Sequence, residues 1–164
     1  MDFPRKLEEA RGLADIFELV KRAVEIVVGR SRAGLMLALA DLGNHPQGFL
    51  GAFYPLATNV IVMNKVPLLR IQDTNPDLYR HYAFYVLLHE YLHAVGIVDE
   101  LSCREQARRI AQILFGAAHL VTQVSEDFNR FFPNLVFPEA AWQPRELHLE
   151  LVPGFDRGSA SYFA

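Results

Sequence analysis

An α+β fold built around one buried helix is what this sequence predicts, on three observations. Residues from about Pro76 to Val95 are apolar on almost every side, three short β-prone segments precede them, and amphipathic helical patterns lie before and after. The expected order is an N-terminal helix, a small three-stranded sheet, the buried helix, a second helix packed against it, a C-terminal helix and an irregular tail. With 164 residues, 51% hydrophobic and 21% charged, the chain is long enough for a real core. It reads as a single domain, 1–164, in which 133–164 is a tail or latency segment.

From about Pro4 to Val28 the apolar residues Leu7, Ala10, Leu13, Ile16, Phe17, Val20, Ala23, Val24 and Val27 recur every three to four positions, an amphipathic helix. In Ala33 to Leu42, Leu35, Leu37 and Leu39 alternate with Met36, Ala38 and Ala40; a strand is preferred over a short helix. Asn44 to Gly48 has turn composition, and Gly48 to Tyr54 reads as a strand broken at Pro55. Asn59 to Asn64, β-branched and bounded by turn residues, is the clearest strand. The buried helix then opens with Asn75 as N-cap, Pro76 at the first position and Asp77 in the first turn, and closes at Gly96. A helix from Asp99 to Phe115 carries Cys103, Ala107, Ile110, Ala111 and Leu114 on one stripe and ends at Gly116. Another is expected from about Ala118 to Phe131, stopped by Pro133. Alternation in Leu147 to Val152 suggests a late strand.

Composition narrows the function classes. A net charge of -3 and a pI near 6.1 leave no basic stripe for nucleic acid. The single cysteine, Cys103, excludes an internal disulfide framework, matches no thiolate zinc spacing and suggests a reducing compartment. The N-terminus is charged where a signal peptide would be apolar, and no eighteen-residue apolar run exists. The expectation is a cytoplasmic protein without membrane contact.

The buried helix contains His89-Glu90-Tyr91-Leu92-His93. Two histidines four apart on a helix point the same way and can grip one metal ion, while the intervening glutamate faces a water held there. Chance alone would place this pattern in a chain of this composition in roughly one to two per cent of shuffles, so context must decide. Two imidazoles and a carboxylate on a buried helix each need a partner, and one divalent cation satisfies all three.

Zinc usually takes a third protein ligand. Asp99, in the stretch H-E-x-x-H-x-x-G-x-x-D, is placed ahead of Glu100; its competing role is to cap the following helix. Glu100 lies seven residues before Ala107, on the buried stripe, where it would be a ligand or a partner of a histidine. Glu105 falls on the opposite face, and nothing in spacing selects His119 or Glu126.

His89-Glu90-x-x-His93 on a helix, preceded by an edge-like strand and followed by a second helix after a glycine, resembles the zincin metallopeptidases. The element order resembles the small single-domain minigluzincins. The resemblance is specific over about ten residues and architectural over another hundred. It implies zinc on His89 and His93, one ion per chain, with Glu90 as general base and acid. The G-x-x-D extension resembles the metzincin branch, yet no methionine follows the motif for that branch's methionine-containing turn. The gluzincin branch expects a glutamate from the second helix, here Glu100 or Glu105. The implied reaction is hydrolysis of a peptide or protein substrate, with the strand Asn59 to Met63 offering its edge to an extended chain. Tyr79, Tyr82, Tyr85 and Tyr91 read mainly as packing. Two alternatives stand beside this reading. One is a non-catalytic or latent zinc-binding module on the same scaffold, acting through protein interaction, its site closed by a fourth ligand such as His148. The other is a metal-free helical interaction protein.

Overall fold

The computed structural model describes residues 1–43, 49–55, 58–133, 135–136 and 148–156. Its helices are α1 (Phe3–Glu9), α2 (Leu13–Val28), α3 (Lys65–Thr74), α4 (Tyr79–Ala94), α5 (Glu100–Phe115), α6 (Leu120–Glu126) and α7 (Phe128–Phe131), with a 3-10 turn at Pro76–Leu78. Its strands are β1 (Met36–Ala40), β2 (Phe49–Leu50), β3 (Ala52–Phe53), β4 (Val60–Asn64), β5 (Leu135–Val136) and β6 (Glu150–Leu151). The class is α+β: seven helices among the described residues and a four-stranded mixed sheet of order β3-β4-β1-β6, with β2 and β5 forming a separate parallel pair. No helix among the described residues is long and apolar enough to cross a membrane.

Several elements depart from the pattern in the sequence. The first helix is two, because the chain extends from Ala10 to Gly12 before the Asp15 carboxylate accepts from the Arg11 N–H. The three-to-four spacing carries through that break, so spacing alone does not disclose it. A helix, α3, fills the stretch after β4; buried Asn64 caps it by accepting from Val66 N and also binds Leu42 N. Asn75 consequently ends α3 rather than capping α4, and Pro76 opens the 3-10 turn. The strand expected over Gly48 to Tyr54 is split at Gly51 into β2 and β3, which join different sheets. The Asn44 to Gly48 turn lies outside the described residues.

β4 is interior. It pairs in parallel with β1 along its whole length and antiparallel with β3 at Met63 and Val62, so it does not offer a free edge there to a peptide. The fourth strand comes from the tail, where Leu151 and Glu150 pair with Ala38 and Leu39. Side chains of β1 alternate as a strand requires: Leu37 faces the main core with Ile61 and Met63, while Ala38 and Ala40 face a smaller cluster with Phe53 and Val62.

Every residue from Tyr82 to Ala94 in α4 is buried. Phe17 of α2 meets Tyr91 edge-on at 5.4 Å, Phe115 of α5 meets Phe84 at 5.1 Å, and Phe128 of α7 stacks on Tyr85 at 5.1 Å. A helix so enclosed has its side chains fixed from several directions, which is what positioning a reactive group demands.

The late segment is anchored as well. Phe155 stacks on Phe17 at 3.9 Å, and the buried Asp156 carboxylate accepts from Lys21 Nζ and from the Leu35 N–H at 2.9 Å. Asp156→Ala strands that N–H and leaves the Lys21 ammonium with Glu18, 3.1 Å away, as its remaining carboxylate. It is expected to lower stability by about 1.5–3 kcal/mol, the range for hydrogen bonds to charged groups, read as a lower urea midpoint; an unchanged midpoint would show that this anchor carries no stability.

Candidate metal centre

His89 and His93 lie one helical turn apart on α4, their rings perpendicular with centroids 4.8 Å apart. Past Ala94 the helix stops because Gly96 adopts φ 105°, a conformation that favours glycine, and Gly96 N and Ile97 N donate back to the His93 and Leu92 carbonyls. That reversal aims the Ile97 carbonyl at the His93 ring, whose Nδ1–H donates to it at 2.8 Å. It also starts α5 alongside α4.

Asp99 is the N-cap of α5. Its carboxylate accepts from Ser102 N at 2.8 Å and is exposed, and the bonds from Ser102 hold its carboxyl below the usual range. Glu100 is the first residue inside the helix, on the stripe continued by Cys103, Ala107, Ile110 and Ala111. Its carboxylate spans the two imidazoles, with Oε2 3.1 Å from His89 Nε2 and Oε1 2.8 Å from His93 Nε2. Of the two candidate third ligands, therefore, Glu100 meets the histidines while Asp99 is committed to the backbone. Arg104, one turn on, lies 3.5 Å from Glu100 Oε2.

Glu90 contacts the other side of His89, its Oε1 3.2 Å from Nδ1. Each imidazole is thus tied at Nδ1, His93 to a carbonyl and His89 to a carboxylate, and each turns Nε2 toward the same point. This is the orientation metal-binding histidines take when an outer group fixes the tautomer. The donor set fits a divalent cation: two imidazole nitrogens and a carboxylate converge, and the supporting bonds are in place. His89 and His93 side chains are 1% and 5% exposed and Glu100 is 32% exposed, so Glu100 marks the solvent side.

Cys103 also approaches the two histidines. It is fully buried, its thiol donates to the His89 carbonyl at 3.2 Å, and Sγ lies with one ring nitrogen from each histidine in a group whose atoms are all within 4.8 Å of one another. The sequence pattern placed Cys103 on the buried stripe without connecting it to the motif. The available signal was its position three residues after Glu100, the spacing that puts two side chains on one helix face.

The remaining candidates lie elsewhere. Glu105 is exposed. His119 caps α6 by accepting from Val121 N, 4.8 Å from Phe115 between ring centroids. Exposed Glu126 accepts from Gln112, and His148 is exposed.

Without a cation, protons occupy the centre. Burial opposes charge on His93, but Cys103 and Glu100 overcome it and lift the imidazole to about 10. His89 is raised in the same way by Cys103, Glu100 and Glu90 against its burial. Burial pushes Glu100 up, yet the two imidazoles hold it far below its ordinary 4.5. The Cys103 thiol, raised by burial, is brought below its usual value by the same two rings.

A raised histidine stabilises fully below its unfolded value and loses that contribution as pH climbs through about 10; a depressed carboxylate stabilises above its unfolded value and loses it as pH falls. Both contributions are complete between the ordinary values of Glu100 and His93, 4.5 and 6.5. Chelator-treated protein is therefore expected to be most resistant to urea in that window. Zinc addition near neutral pH should release protons, measurable by calorimetry in buffers of different ionisation enthalpy. Zinc uptake without proton release would contradict this account.

Comparison of the chain with models of known protein families, with curated proteins and with solved structures finds no match in any of the three.

Proposed function

We propose that the protein is a zinc-dependent metallopeptidase of zincin type, with His89, His93 and Glu100 as ligands and Glu90 as general base and acid. The observation that carries this reading is the Glu100 carboxylate spanning His89 Nε2 and His93 Nε2 at 3.1 and 2.8 Å. A helix bearing H-E-x-x-H followed by a glutamate from the next helix is the arrangement of the gluzincin branch, and the element order around it is in keeping with a zincin-like scaffold.

Bound zinc would supply Lewis acidity toward a carbonyl and a water acidified toward a pKa of about 7. The chain's own residues supply the rest. The Ile97 carbonyl and the Glu90 carboxylate orient the two rings. With zinc bound, Glu90 would take a proton from water and return it to the departing amine, a role worth about 10²–10⁴-fold in rate. Burial of α4 excludes bulk water from that transfer. The substrate is a peptide or protein segment; since β4 is enclosed along Val62 and Met63, the segment has to be held by other backbone than those two residues.

The test is incubation of zinc-loaded protein, wild type and Cys103→Ser, with a complex peptide mixture, reading new termini by mass spectrometry. New termini that vanish with chelator and return with zinc are expected. Intact peptides with both zinc-loaded proteins would overturn the peptidase reading in favour of a zinc-binding module.

A further inference from the structure

We infer that Cys103 is a fourth donor at this centre, so that a bound cation is enclosed by two imidazoles, the Glu100 carboxylate and a thiolate until the sulfur is displaced. The inference rests on the reading of the α4–α5 pair as a zinc site and adds its regulation.

The geometry points to it. In a tetrahedral zinc site, metal–nitrogen and metal–sulfur bonds of about 2.0–2.3 Å set the donor atoms about 3.3–3.7 Å apart. Cys103 Sγ and one ring nitrogen from each histidine already lie within 4.8 Å of one another, so reaching those separations takes shifts of at most about 1.5 Å. Glu100 and Cys103 are three apart on one face of α5 and reach the histidines from the same helix. No second cysteine within this sequence competes for the thiol, and Cys103 is fully buried. Zinc is borderline-soft and takes imidazole, carboxylate and thiolate together.

Binding exchanges the S–H for an S–metal bond. The thiol proton leaves to solvent, and the hydrogen bond to the His89 carbonyl is given up. The three-ligand site that hydrolysis needs then becomes a closed four-ligand site, and the protein rests in a latent state. Opening it requires the sulfur to leave, which frees one coordination position.

Cobalt(II) is the probe. The full chain, stripped of metal and titrated with cobalt(II), is expected to develop an intense sulfur-to-cobalt charge-transfer band in the near ultraviolet together with visible bands of tetrahedral intensity. Cys103→Ser should bind cobalt, lose the charge-transfer band, and in its zinc form cleave peptides faster than wild type. X-ray absorption on the wild-type zinc protein should find one sulfur at about 2.3 Å, a result independent of how well the variant folds. Cobalt bound by the wild type without the charge-transfer band, or zinc without sulfur, would overturn the role of Cys103 while leaving the histidine and glutamate ligands in place. Failure of the wild type to bind either metal would overturn the site and, with it, this inference.

Discussion

Glu100→Gln is expected to lower zinc affinity by more than about a hundredfold, since the loss of an outer-shell partner alone costs 10–100-fold and Glu100 is placed as a direct ligand. Asp99→Asn, one residue earlier, is expected to leave both the affinity and the start of α5 unchanged. The contrast follows from what each carboxylate touches. Asp99 holds Ser102 N at the start of α5 and is exposed, whereas Glu100 sits between the two Nε2 atoms. Asparagine is as good an N-cap as aspartate, so Asp99→Asn preserves the start of the helix and separates capping from coordination. Competition with a chromophoric zinc chelator reads both affinities. Equal losses in the two variants would mean that the acidic pair acts through α5 as a whole rather than through the carboxylate that spans the histidines.

Glu90→Gln should have the opposite profile: zinc retained, peptide hydrolysis lost by about 10²–10⁴-fold. The amide keeps the size and polarity of the side chain and can still accept from His89 Nδ1, which lies 3.2 Å away in the native protein. It cannot take up and hand on a proton. The readout is the rate of cleavage at equal zinc content. A Glu90→Gln protein that cleaves at the native rate would remove Glu90 from the chemistry, and one that also loses zinc would show that its first task is to orient His89.

The centre was legible in the sequence to the extent that it is local. His89 and His93 are related by one helical turn, and Gly96 marks where that helix must stop, so periodicity and one glycine suffice for both. The choice between Asp99 and Glu100 is different in kind. The residues are adjacent, and which carboxylate turns inward depends on where α5 begins; here the cap falls on Asp99 and places Glu100 on the same stripe as Cys103 and Ala107. No thiolate spacing links Cys103 to the motif, although the stripe that carries it is visible in the sequence. In the fold, α3 is not legible in the sequence because its short apolar set, Pro67, Leu68 and Ile71, gives little periodic signal. The interior position of β4 is not legible because strand order is a non-local property: β3 covers one side of it and β1 the other.

The central claim, that α4 and α5 together hold a zinc ion, is tested most directly by elemental mass spectrometry on protein purified without a histidine tag, beside the His89→Ala/His93→Ala double variant. About one zinc per chain in the native protein and a trace in the variant is the expected result for a site of this ligand type. No zinc in the native protein even after zinc is supplied, or equal zinc in both, would contradict the assignment and leave the converging imidazoles and Glu100 as an ion-paired cluster within the core.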